Sequence, residues 1–122
     1  MFDIRSNSFE NRLLICYKGK IEIDEMKAAS DKISKSIRGL VPGFTIITDI
    51  RELAPLAEGA RELLQGSMQM VRTTGLAYEV RIISPAAQIT ANQFQRTSRA
   101  AGYTATEVKT LVEAERVLDD LV

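Results

Sequence analysis

Residues 44–50, FTIITDI, are rich in β-branched side chains and lack the strict polar alternation of a strand with one face in water. This pattern predicts a central strand that is covered on both faces. Residues 78–84, YEVRIIS, predict the next buried strand. A helical pattern separates the two segments, which favours a parallel pair joined by a right-handed crossover, as in layered α/β domains.

Glycine followed by a large apolar residue ends three helical patterns: Gly39-Leu40, Gly75-Leu76 and Gly102-Tyr103. A glycine just past a helix adopts the left-handed conformation readily and so caps the free carbonyl groups of the last turn. The last two glycines lead almost directly into strand-like runs. Strands and helices are therefore predicted to alternate along the chain.

The complete pattern reads ββαβαβαβα, which predicts an α/β fold with a mixed, largely parallel sheet of about five strands and four helices. Residues 2–7 and 12–18 predict an antiparallel hairpin at the start. Asp24 is the predicted N-cap of the first helix. Residues 51–56 predict a loop in which Pro55 starts the second helix.

The second half of the chain carries clear helix-start signals. Ser84 and Pro85 fit the N-cap and the first position of the third helix. Residues 103–108 predict a more polar edge strand. Thr110 and Glu113 have the spacing of a capping box for the last helix. The residues of that helix predicted to point inward are Leu111, Ala114, Leu118 and Leu121.

Composition excludes several classes of function. The 122 residues fit a single domain, 1–122, and their formal net charge of +0 argues against non-specific binding to nucleic acid. The chain has no histidine, and its one cysteine, Cys16, is expected to be a buried structural thiol. Histidine-dependent catalysis and zinc clusters are thereby excluded. With no apolar run of about 18 residues and no leader-like N-terminus, we expect a cytoplasmic protein without a membrane span or cofactor.

Polar side chains follow the two buried strands, where ligands of open α/β sheets tend to bind. The carboxyl end of the first strand holds Asp49, Arg51 and Glu52, and that of the second holds Ser84. Asp49 is a candidate for binding a partner, and a local pair with Arg51 or a capping interaction is the alternative that short polar side chains at strand ends favour. Ser84 is a candidate anion contact at a helix start, or simply a cap.

Met70 is the candidate contact for an apolar ligand or partner. It lies in the second helix but off the apolar stripe that contains Met68. A flexible methionine adapts well to a binding partner, and an ordinary half-buried position is the alternative.

The whole chain resembles the STAS-like superfamily, the fold of bacterial anti-sigma factor antagonists. The resemblance rests on the opening strands FDIRSN and RLLICYKG, on IEIDE, on FTIITDIREL with its aspartate, on RIIS and on the closing segment RTSRAAGYTATEVKTLVEAERVL. It implies a non-enzymatic regulatory module that binds a protein partner through the segment from Asp49 to Glu58.

The same resemblance places a phosphorylated serine of signalling members at the start of the second helix. This chain has LAEG at the corresponding residues 56–59, and no hydroxyl side chain lies between Leu53 and Ala60. Glu58 either imitates a permanently charged form or is an ordinary acidic residue at a helix start. The resemblance therefore implies a member without the phosphorylation switch.

Two further functions stay open at this point. A carrier of a small apolar ligand or lipid would have an apolar pocket lined by the second and third helices. The amide-rich face of the third helix and the predicted edge strand also allow a homodimer.

Overall fold

The computed structural model, which describes residues 1–121, has one mixed sheet with the strand order β1-β2-β3-β4-β5. β1 pairs antiparallel with β2, and every later neighbour is parallel. The strands are β1 (Phe2–Asn7), β2 (Arg12–Gly19), β3 (Thr45–Leu53), β4 (Tyr78–Ile82) and β5 (Thr106–Val108). The predicted mixed sheet and the order ββαβαβαβα are confirmed.

Four helices cover the sheet unequally. They are α1 (Ile23–Ser36), α2 (Glu58–Thr74), α3 (Gln88–Ala100) and α4 (Leu111–Asp119). α1, α2 and α3 share one apolar core on one face of the sheet, and α4 packs on the other face. None of these helices is long and apolar enough to cross a lipid bilayer.

The side chains of β3 alternate between these two cores. Ile46 and Ile50 pack under α1, α2 and α3, whereas Ile47 packs with α4. This alternation follows from the two-residue period of a strand and confirms that the FTIITDI segment is covered on both faces. Asp49 and Arg51 follow Ile47 at intervals of two residues. Their side chains therefore lie on the same face of the sheet as α4.

Two of the three predicted glycine stops have the backbone conformation that a helix end requires. Gly75 has φ +131° and Gly102 has φ +102°. The backbone N–H groups of Gly75 and Leu76 both donate to the carbonyl of Val71. Gly39 is different, because it ends a short 3₁₀ turn, Ile37–Gly39, without a positive φ.

Several predicted boundaries are wrong, and the end of β3 matters most. β3 continues to Leu53, so Arg51 and Glu52 lie in a strand and not in a loop, because after a bulge β2 still pairs with this segment. α2 begins at Glu58 and not at Pro55. α1 begins at Ile23, so Asp24 lies in its first turn and is not the N-cap.

The other boundary corrections lie in the second half. The Ser84 side chain does not cap a helix: a 3₁₀ turn, Pro85–Ala87, precedes α3, and the hydroxyl bonds elsewhere. β5 is limited to Thr106–Val108. Thr110 caps α4 as predicted, since its hydroxyl accepts from the Glu113 N–H at 3.1 Å. Ala114 and Leu118 are buried, but Leu111 at the start of α4 and Leu121 beyond its end are exposed.

One ion pair is buried inside the larger core. Glu79 and Arg81 of β4 point under α3, with a distance of 2.8 Å between Arg81 Nε and Glu79 Oε2. The hydroxyls of Thr48 and Tyr103 donate to the same carboxylate at 3.0 and 2.8 Å. Burial lowers the pKa of Arg81, but the attraction and hydrogen bond of Glu79 outweigh it and hold the pKa above its ordinary value. Arg81 therefore keeps its charge at neutral pH.

Candidate functional site

No helix within residues 1–121 covers one part of the sheet. α4 covers the side of β3, β4 and β5, which leaves β1, β2 and the end of β3 uncovered on that face. This part of the sheet forms a concave surface that encloses a volume of about 190 Å³, and we call it the open face. Its lining comprises Asp3, Arg5, Leu14, Ile15, Cys16, Ile47, Asp49, Arg51, Ile82 and Leu111. Its floor is apolar and its charged groups come from β1 and β3.

Asp49 and Arg51 form a rigid pair at the end of β3. Arg51 donates from Nε to Asp49 Oδ1 at 3.1 Å and from Nη2 to Oδ2 at 2.8 Å, which is the bidentate geometry preferred by guanidinium and carboxylate. The Arg51 backbone N–H also donates to Asp49 Oδ1 at 3.1 Å. The local pairing considered from the sequence is thus present, and it fixes the orientation of the guanidinium.

The charges of this pair are stable across the physiological pH range. Burial raises the pKa of Asp49, but the side-chain and backbone hydrogen bonds of Arg51 outweigh it and hold the pKa below its ordinary value. The hydrogen bond of Asp49 raises the pKa of Arg51. The pair therefore presents one negative and one positive charge side by side. Neither group gains or loses a proton near neutral pH.

Glu52 and Ser84 lie next to this pair and have different roles. The Ser84 hydroxyl donates to the Arg51 carbonyl at 2.9 Å, which ties the end of β4 to the end of β3. Its oxygen is thus engaged in a structural contact. Glu52 is exposed and lies 3.5 Å from Lys18 Nζ of the neighbouring strand. Of the two, Glu52 is the one whose side chain is exposed enough to meet a partner.

Cys16 lies on the open face and is half-buried. The prediction of a buried thiol is therefore wrong, because part of the side chain is exposed. Burial raises its pKa, and the nearby Asp49 carboxylate raises it further. The thiol is therefore protonated at neutral pH, which is the unreactive form. Within residues 1–121, no three Cys, Asp or Glu side chains converge to hold a metal ion.

Glu58 lies away from the open face. It is the first residue of α2 and is exposed, and it lines a groove between α2 and α3 on the opposite side of the sheet from Asp49. The groove measures about 320 Å³ and is lined by Glu58, Arg61, Glu62, Gln65, Arg96, Thr97 and Ala100. The structure thus brings Asp49, Arg51, Glu52 and Ser84 together and leaves Glu58 on a separate surface.

The carrier hypothesis lacks its expected pocket. The groove between α2 and α3 is polar, and the apolar cavity beneath these helices measures about 20 Å³, which is room for a single water molecule. Pockets for organic ligands are typically about 300–1,000 Å³ and largely apolar. Met70 is half-buried, packs against the core and lines neither space. The structure does not support an apolar pocket between these helices.

The fold has clear matches among solved structures. An uncharacterized protein of the DUF3478 family from Shewanella loihica is 15% identical, with a TM-score of 0.70, over 97% of this chain and 92% of that one. The chain has the SpoIIAA-like fold. An anti-sigma factor antagonist from Mycobacterium paratuberculosis is 15% identical, with a TM-score of 0.61, over 98% and 96%. Phosphorylated SpoIIAA of Bacillus is 20% identical, with a TM-score of 0.59, over 96% and 99%.

These matches confirm the fold expected from the resemblance to the STAS-like superfamily. At 15–20% identity they establish the SpoIIAA-like fold and not an activity. The sequence matches no protein-family model and no curated protein.

The open face itself was missed from the sequence. Asp3, Arg5, Leu14 and Cys16 have the alternation that puts them on one face of the predicted hairpin, and that signal was available. What the sequence does not reveal is that α4 stops short of this hairpin. The coverage depends on where a nine-residue helix lies on a five-stranded sheet, which is a property of the packed structure.

Proposed function

We propose that the chain is a non-enzymatic regulatory module of the cytoplasm that binds a protein partner through the end of β3. The contact surface consists of Asp49, Arg51 and Glu52 at the end of β3, whereas Glu58 at the start of α2 lies on a separate surface. The observation that carries the proposal is the pre-oriented Asp49–Arg51 pair, which presents fixed charges beside an uncovered apolar floor.

The geometry favours recognition over chemistry. Fixed charges around an apolar floor give a partner both complementarity and buried area. The thiol on this face is protonated, and the carboxylate at its centre is fully engaged by Arg51. The SpoIIAA-like fold also supports a role in protein recognition, since solved proteins of this fold include an anti-sigma factor antagonist.

Regulation by phosphorylation at the start of α2 is not part of this proposal. A SpoIIAA structure of this fold is described in its phosphorylated form. In the present chain the residues from Leu53 to Ala60 are LAPLAEGA, which contain no hydroxyl group. We propose that the module works without this switch.

The Arg51→Glu variant should weaken partner capture about tenfold. It replaces the guanidinium that Asp49 orients by a carboxylate, which reverses the charge presented to the partner. The full chain and its Arg51→Glu variant are immobilised and exposed to lysate of the source organism. Quantitative mass spectrometry then compares the captured proteins. The Asp49–Arg51 pair is partly exposed, so we expect the melting temperature to change little.

Lys32→Glu is the matched control, since it makes the same charge change on exposed α1 far from β3. It should leave capture unchanged. Glu58→Lys, compared with Glu115→Lys on α4, tests whether the contact surface reaches α2. Equal capture by the parent chain and Arg51→Glu, both folded, would remove the end of β3 from the contact surface.

A further inference from the structure

β1 is one edge of the sheet, and half of its backbone polar groups face away from β2. Lys18 N–H donates to the Met1 carbonyl at 2.8 Å, and the Met1 amino group donates to the Lys18 carbonyl at 2.9 Å. Because bonded and non-bonded pairs alternate in an antiparallel ladder, Asp3 and Arg5 also direct their N–H and C=O groups towards β2. The groups that point outward are those of Phe2, Ile4 and Ser6.

Opposite charges lie symmetrically along this edge. Asp3 and Arg5 flank Ile4, and both project onto the open face, where Arg5 Nε lies 2.9 Å from Asp3 Oδ2. The Arg5 side chain is 78% exposed and that of Asp3 is 46% exposed. A two-fold axis through Ile4 would place Asp3 of each copy opposite Arg5 of the other copy.

We propose that β1 pairs antiparallel with β1 of a second copy of this chain, with Ile4 on the two-fold axis. In this register Ile4 bonds to its own counterpart and Phe2 bonds to Ser6 of the second copy, which satisfies the outward groups. Asp3 of each copy lies directly opposite Arg5 of the other, where side chains of a non-bonded pair are closest. Two five-stranded sheets join into one continuous sheet.

The neighbouring registers lack this complementarity. A two-fold axis at Arg5 would place Arg5 opposite Arg5, and an axis at Asp3 would place Asp3 opposite Asp3. Like charges directly opposite one another destabilise a strand pair. The charge sequence of β1 therefore selects the register centred on Ile4.

Exposed apolar side chains at the two ends of β1 fit the same arrangement. Phe9, in the turn after β1, is 98% exposed, and Met1 is 59% exposed. In the register centred on Ile4, Met1 faces Asn7 of the second copy, and the turn that carries Phe9 begins directly after Asn7. Pairing thus brings Met1 of one copy and Phe9 of the other to the same end of the interface. Each exposed apolar side chain then covers part of the other.

Charge exchange between two variants tests this dimer directly. Sedimentation velocity is measured over a range of protein concentrations for the full chain, for Asp3→Arg, for Arg5→Asp and for an equimolar mixture of the two variants. We expect the full chain to dimerise, and each single variant to raise the dimer Kd about tenfold or more, because both cross-strand pairs become repulsive. The mixture should recover dimers, since one strand then carries two basic side chains and the other two acidic ones.

Two further variants separate the interface from folding. Asp3→Arg combined with Arg5→Asp exchanges the charges within one chain and should dimerise like the parent. Ser6→Pro removes an outward N–H that has no partner within the chain, so it should abolish dimers while circular dichroism shows an unchanged fold. A full chain that stays monomeric at every concentration, or single variants that dimerise like the parent, would overturn the proposal, as would a mixture that stays monomeric. The proposed partner surface on β3 does not depend on this outcome.

Discussion

Arg81→Met should lower the free energy of unfolding by about 3–5 kcal/mol, because it leaves the carboxylate of Glu79 buried without its cation. Arg81 has no exposed side-chain surface, and Glu79 is 4% exposed. The substitution also removes the guanidinium from above the Phe94 ring, whose centroid lies 5.7 Å from Arg81 Cζ. Urea unfolding followed by circular dichroism measures the loss.

The double variant Glu79→Leu with Arg81→Met should be less destabilised than the sum of the two single variants, by about 2 kcal/mol or more. Removing both charges eliminates the uncompensated charge that each single variant leaves in the core. The Lys20–Glu22 pair is the control, since it has the same two-residue spacing and both side chains are exposed. Lys20→Met should cost at most about 1 kcal/mol. Additive losses at Glu79 and Arg81 would mean that the two side chains do not act as a buried pair.

Gly75→Ala should lower the free energy of unfolding by about 3 kcal/mol and the melting temperature by about 10 °C. Gly75 has φ +131°, which a residue with a β-carbon rarely adopts. A β-carbon at this position would lie 2.8 Å from the Cα of Pro42 and 2.9 Å from its Cβ. The neighbouring turn is held close, since Gly43 N–H donates to the Gly75 carbonyl at 2.7 Å. Both turns would have to move apart.

Gly66→Ala is the control with the opposite expected sign. Gly66 lies within α2, and apart from the helix's own backbone a β-carbon there would meet no heavy atom within 4 Å. Alanine should therefore stabilise the protein by about 0.5–1 kcal/mol through its higher helix propensity. Thermal unfolding of the two variants side by side measures both effects. A neutral result for Gly75→Ala would show that the two turns are not as tightly packed as the structure indicates.

Strand and helix order followed from local signals that the packed structure does not override. The β-branched FTIITDI segment, the glycine at position 75 and the cap at Thr110 each act within a few residues, so the sequence predicts them correctly. The end of β3 was missed because Arg51 and Glu52 are polar and local patterns favour a loop. They are held in the strand by pairing with β2, which is a long-range interaction.

The candidate site was only partly predictable for the same reason. The pairing of Asp49 with Arg51 is local, and its two-residue spacing was visible in the sequence. That Glu58 lies across the sheet from Asp49 depends on where α2 packs. Residues 79–82 are buried as predicted, but the ion pair of Glu79 with Arg81 was not predicted, because it depends on how α3 and Tyr103 pack over this strand.

Site-specific photo-crosslinking in cells of the source organism tests the central claim most directly, that the end of β3 contacts a protein partner. A photoreactive residue replaces Glu52, whose exposed side chain lies beside the Asp49–Arg51 pair. The same residue replaces exposed Glu115 on α4 as the control. We expect one discrete adduct with a partner protein from position 52 and none from position 115. Equal adducts from both positions, or an adduct from position 115 alone, would contradict the proposed partner surface.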